Sequence, residues 1–186
     1  MRQCGWIVSC GLAFLFHIGC GYAQTPLSEC SQGQFSLQRK SDSLAILTLT
    51  TDSTSSQWTI TEPVYRFCTG DVDGDGSVDA IVGVVRKTRY FREEGHRIWI
   101  FKNYHGLIRP LWMGSRLGGI LQDFRFTDGK IRSLESTTDG KFVVAEYRWA
   151  HFGMGFERFL AKNVCRDEAI EIFEDRKVSM ITNMKL

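Results

Sequence analysis

The stretch GILQDFRFTDGKIRSLESTTDGKFVVAEYRW, Gly119–Trp149, decides the fold. It contains Asp-Gly twice, in Thr127-Asp128-Gly129-Lys130 and in Thr138-Asp139-Gly140-Lys141. Asp-Gly between strand-like runs is a strong hairpin signal, because a tight hairpin turn needs residues that accept positive φ. The two turns lie 11 residues apart, which fits strand, turn, strand. Gly119–Phe126 and Lys141–Trp149 read as strands on either side. In the second of these, Val143, Ala145, Tyr147 and Trp149 share one face.

The same pattern extends towards the N-terminus. Ala45, Leu47 and Leu49 share a face of Leu44–Thr51. Val64–Cys68 reads as a strand, and Ala80–Val85 is small and β-branched on both faces, which suits an interior strand. Arg97–Phe101 sets Ile98 and Ile100 against Trp99 and Phe101. Gly95, Gly106 and Gly118-Gly119 mark breaks, and the Ser/Thr-rich Thr50–Gln57 reads as a long turn. The one clear helical candidate is Arg166–Asp175, where Ala169, Ile170 and Phe173 form a stripe and Asp167-Glu168 suits a helix start. The expected fold is all-β: a compact antiparallel sheet domain, propeller-blade-like or a sandwich, with a short C-terminal helix.

Of the 186 residues 43% are hydrophobic, too many for a disordered chain. A formal net charge of +2 lacks the basic excess of a nucleic-acid binder. Met1–Ala23 has the three parts of a secretory signal: Arg2, a largely apolar Trp6–Ile18, and small residues at Gly21 and Ala23. The apolar run is short for a transmembrane span and contains His17. Ile18-Gly19-Cys20 offers a second route, lipidation at Cys20, which would tie the protein to a membrane. The expected organisation is a signal peptide over 1–23, a mobile leader over 24–34 and one β-rich domain over 35–186. Cleavage after Ala23 leaves Cys30, Cys68 and Cys165, enough for at most one internal disulfide among three pairings. The protein is expected in the periplasm or outside the cell.

The most informative segment for chemistry is Asp71-Val72-Asp73-Gly74-Asp75-Gly76-Ser77-Val78-Asp79. Its four aspartates repel one another, so a positive charge is expected among them. Hard oxygen donors without nearby His or Cys point to Ca²⁺. Gly74 and Gly76 permit the turn that gathers Asp71, Asp73 and Asp75. The Ser77 carbonyl can add a ligand, and Asp79 can close the shell. An EF-hand would need a bidentate acid at the twelfth position, where Val82 stands, and helices in place of strand-like flanks.

With its flanks, Gly70–Val82 resembles the FG-GAP/VCBS repeat of integrin-like β-propellers. In that family the pattern is a Ca²⁺ loop between two strands of a propeller blade. The resemblance implies that Asp71, Asp73, Asp75 and Asp79 are ligands, and that Thr59–Trp112 forms one blade-sized unit. One such loop is present, and the chain after the leader holds about two or three blades, short of the ~4–8 of a closed propeller.

Other candidates carry less. His96 lies beside Glu93 and Glu94 in what reads as a solvated hairpin tip, Arg92–Arg97. His105 reads as a turn residue. His151 lies in the aromatic, glycine-rich Tyr147–Phe156, which reads as sheet packing or as a binding face. Arg86-Lys87-Thr88-Arg89 reads as an exposed hairpin able to touch an anionic partner. Ser115 lacks the flanking pattern of a nucleophile elbow, and no zinc or phosphate-loop motif is present. Two function classes follow. One is an exported Ca²⁺-binding β protein with a structural or recognition role towards a protein or glycan. The other is a secreted hydrolase or glycan-active enzyme drawing on Glu93, Glu135, Glu146 and His151, where a carboxylate pair across a cleft would support glycosidase chemistry.

Overall fold

A computed structural model of the chain describes residues 34–114 and 116–175. The proposed signal peptide, Cys20, Cys30 and all of the leader but Gln34 lie outside the described residues. Gln34 itself accepts hydrogen bonds from the Thr50 N–H, at 2.8 Å, and from Asn103 Nδ2, at 2.7 Å.

Among the described residues, eleven strands form three antiparallel sheets, each a meander of consecutive strands. The first contains β1 (Phe35–Ser41), β2 (Leu44–Thr50) and β3 (Ser55–Ile60). The second contains β4 (Val64–Gly70), β5 (Asp79–Arg86), β6 (Gly95–Tyr104) and β7 (Leu107–Met113). The third contains β8 (Ile120–Thr127), β9 (Lys130–Ser136), β10 (Phe142–Ala150) and β11 (Gly153–Val164). Helix α1 (Arg166–Phe173) follows at once.

The sheets stack face to face, and α1 covers the last. Ala45, Leu47 and Leu49 of β2 meet Ala80, Val82 and Val84 of β5 in one core. The other face of β5, through Ile81, joins Ile98 and Ile100 against Phe124, Ile131, Ala145 and Tyr147 of the third sheet. The outer face of that sheet presents Leu134 and Val144 to Ala169 and Phe173 of α1. The middle sheet is thus buried on both sides, which is why β5 is apolar from Ala80 to Val85 and β2 alternates. Gly83 lies at a close approach between layers: a Cβ there would stand 2.6 Å from the Tyr65 ring of its own sheet and 2.9 Å from Phe124 of the third.

The Asp-Gly reading at 128 holds in detail. Asp128 and Gly129 have φ of 51° and 69°, and Thr127 pairs with Lys130, a two-residue hairpin turn. Two expectations change. Thr50–Gln57 is not one long turn, because β3 begins at Ser55, where alternating Ser56, Trp58 and Ile60 face the core side while Ser55, Gln57 and Thr59 face out. Arg92–Arg97 is a solvated tip only over residues 92–94: β6 begins at Gly95, Arg97 is 8% exposed, and His96 stacks on Tyr65 with ring centres 4.0 Å apart. Cys68 and Cys165 are not bridged to one another.

Candidate metal centre

The acidic segment is the connection between β4 and β5. Gly70 pairs with Asp79, so Asp71–Val78 form a loop whose two ends are fixed by the ladder. Val72 anchors it, being 4% exposed and packed into the core between the second and third sheets. Gly74 and Gly76 have φ of 77° and 85°, a region that side chains with a Cβ disfavour. Asp71 spans the turn: one carboxylate oxygen accepts from the Gly74 N–H at 2.8 Å and the other from the Gly76 N–H at 2.9 Å.

Carboxylate oxygens of Asp71, Asp73 and Asp79 lie within 4.8 Å of one another. Asp79 is fully buried, and its Oδ2 accepts from the Val72 N–H at 2.9 Å. Its Oδ1 is buried with no hydrogen-bond partner. Burial pushes the Asp79 carboxyl up to about 6, against the Val72 hydrogen bond, which favours the charged form. An orphaned carboxylate oxygen beside two further carboxylates is a donor set for a hard cation, which would return the interaction that burial removes.

Asp75 goes elsewhere. Its Oδ1 accepts from the Ser77 N–H at 2.8 Å, and its Oδ2 accepts from Lys102 Nζ at 2.8 Å. The same ammonium donates to Asp73 Oδ2 at 2.7 Å. Lys102 arrives through β6, because Ala80 pairs with Phe101 and the next residue therefore lies beside the loop. Lys102 holds Asp75 below the usual carboxylate range, and the two acids raise Lys102 in turn. The structure therefore gathers Asp71, Asp73 and Asp79, places Asp75 on a lysine, and gives Ser77 a backbone role in the turn. Lys102 was not legible as a site residue, since it lies 23 residues beyond Asp79 in the sequence.

The enzyme suspects do not converge. Glu135 pairs with Val143 and Glu146 with Arg132, which puts the two acids on opposite faces of the third sheet. Glu146 is buried towards α1 and bonded to Arg132 Nη2 at 3.0 Å and Arg158 Nε at 2.7 Å. Burial alone would raise its pKa, but the two guanidinium groups outweigh that and hold it low. Glu135 faces the middle sheet and accepts from Ser133 Oγ at 2.6 Å, from Tyr147 OH at 2.8 Å and from the Gly119 N–H. His151 occupies the β10–β11 turn with φ of 58°. The aromatic stretch beside it is only partly core. Tyr147 is buried, whereas Phe152, Phe156 and Phe159 are exposed.

In comparisons with known proteins, no family model matches the chain, and no curated protein or solved structure matches it.

Proposed function

We propose that this is an exported, Ca²⁺-binding β protein with a structural or recognition role, its partner a protein or a glycan. The observation that carries the reading is the buried, unpartnered Asp79 Oδ1 beside the carboxylates of Asp71 and Asp73. The setting supports the FG-GAP/VCBS resemblance. The loop joins the first two strands of a four-stranded meander spanning Val64–Met113, close to the blade-sized unit expected from the sequence. Asp71, Asp73 and Asp79 would hold the ion, which ties the ends of β4 and β5 through one point. The leader supports export, and lipidation at Cys20 would make that export membrane-anchored. No helix among the described residues is long and apolar enough to cross a membrane.

A ligand that binds only the folded state stabilises it by RT ln(1 + [L]/Kd), about 2.7 kcal/mol at 100 times Kd. Calorimetric Ca²⁺ titration with melts before and after chelation tests this. Saturable binding with a higher Tm is expected, and Mg²⁺ should substitute poorly because it demands a smaller octahedral shell. Lys102 favours a second reading, in which the ammonium is the only counter-charge. Absence of saturable Ca²⁺ binding up to millimolar concentrations would establish that reading in place of the first.

A further inference from the structure

A groove lies at the end of the β5–β6 pair opposite the acidic loop. It is about 390 Å³ and is lined by residues 90–95, Arg97, Arg116, Gly119 and Ile120. Two arginines meet there, and among the described residues neither is held in an ion pair. Arg97, 8% exposed, donates from Nη1 to the His96 carbonyl at 2.8 Å and from Nη2 to the Glu93 carbonyl at 3.3 Å. Its Nε is buried and has no partner. Arg116 donates from Nε and Nη2 to the carbonyls of Gly119 and Gly118, each at 3.2 Å, and lies over the Phe91 ring at 5.1 Å. Among the described residues, no carboxylate forms an ion pair with either guanidinium, although Glu93 and Glu94 line the same groove.

This arrangement is costly unless something negative completes it. Carbonyl oxygens satisfy N–H groups but do not neutralise charge. A guanidinium cannot shed its proton at any ordinary pH. A buried unpaired cation costs several kcal/mol. Burial first, and then the neighbouring Arg116, lower the Arg97 pKa, both acting against the charged form. A water in the small pocket of about 10 Å³ lined by Arg97 could supply a hydrogen-bond acceptor but would leave the charge. The groove is also walled by Tyr90, Phe91 and Ile120, so an apolar body can sit beside the charged end.

We propose that this groove is an oxyanion site, in which Arg97 and Arg116 together receive a carboxylate, phosphate or sulfate group carried on a small organic body. Arg97 is the fixed, desolvated half of the clamp. Arg116 is the exposed half, aimed by Phe91 and by the two glycine carbonyls. Planar guanidinium forks match the paired oxygens of all three groups. The site is separate from the acidic loop and does not depend on the metal reading.

The test uses the folded protein stripped of divalent ions and desalted, with sulfate, inorganic phosphate and acetate as probes. Each is titrated against chloride at matched ionic strength, by calorimetry and by ¹H–¹⁵N NMR of the arginine Nε groups. The expected result is saturable binding of at least one probe, with shifts concentrated on Arg97 and Arg116. Binding should weaken at least tenfold in Arg116→Gln and stay unchanged in Arg109→Gln, an exposed β7 residue outside the groove lining. A tetrahedral preference would point to phosphate or sulfate, and a planar one to a carboxylate. Should Arg116→Gln fail to fold, the wild-type NMR titration decides alone. Shifts no larger than those in chloride, or equal affinity in Arg116→Gln, would overturn the site.

Discussion

Replacing Lys102 with Met separates the two kinds of positive charge that the acidic loop can accept. Lys102 Nζ stands 2.7 Å from Asp73 Oδ2 and 2.8 Å from Asp75 Oδ2, and its side chain is 23% exposed. In the metal-free protein its loss leaves two carboxylates without their cation. Hydrogen bonds to charged groups contribute about 1.5–3 kcal/mol when buried, and exposed ion pairs less than about 1 kcal/mol. For this half-exposed pair the cost should be about 1–2 kcal/mol, or a few degrees in Tm.

Calcium affinity should move the other way. An ion bound to Asp73 at an ordinary distance of about 2.4 Å stands within about 5 Å of the ammonium. Repulsion between a double and a single positive charge at that separation is about 1.7 kcal/mol even at the dielectric of water. Removing it should tighten Ca²⁺ roughly tenfold, provided the lysine cannot swing clear. The assay is calorimetric titration of wild type and Lys102→Met, with chelated melts of both. A lower metal-free Tm with unchanged or weaker Ca²⁺ binding would refute the reasoning, because the lysine and the ion would then not share Asp73.

Asp73→Ala should abolish measurable Ca²⁺ binding, whereas Asp139→Ala, in a turn without alternating acids, should leave the titration curve unchanged. Gly83→Ala should cost about 1–3 kcal/mol by overpacking against Tyr65 and Phe124, read as a fall in the denaturant midpoint at constant slope. Glu146→Gln should destabilise by about 3 kcal/mol near neutral pH, since Arg132 keeps only Asp175. The folded pKa of Glu146 is depressed, so its stabilisation is complete above the unfolded value of ~4.5 and is lost as pH falls through the folded value. Melts of wild type and Glu146→Gln should therefore converge on acidification, and a constant gap down to the lowest accessible pH would contradict this.

Those parts of the fold that rest on near-neighbour chemistry were legible in the sequence. The turn at Asp128-Gly129, the single-faced β2 and the two-faced β5 each follow from a local pattern, and the helix over Arg166–Phe173 follows from its stripe. Less legible were strands whose partners supply the missing apolar half. β3 is SSQWTI, a run that its Ser/Thr content disguises as a loop until Trp58 and Ile60 are set opposite Leu47 and Ala45. In sequence the aromatic stretch Tyr147–Phe156 is open between packing and a free face, and topology divides it: Tyr147 lies on β10 inside the sheet and is buried, whereas Phe156 lies on the edge strand β11, which pairs with β10 alone, and is exposed.

The site divides along the same line. Alternating aspartates and two glycines specify a loop that gathers oxygen atoms, because that geometry is set within nine residues of chain. Which aspartate does what is decided from outside the loop. Asp79 is orphaned because β5 is an interior strand, and Asp75 is drawn away because the β5–β6 register puts Lys102 beside it. Moving that register by one residue would turn Lys102 to the opposite face of the sheet and leave Asp75 as available as Asp71. The spacing of acids thus predicts that a cation is needed, while strand pairing determines how many of the acids remain for a metal after the protein has supplied a cation of its own.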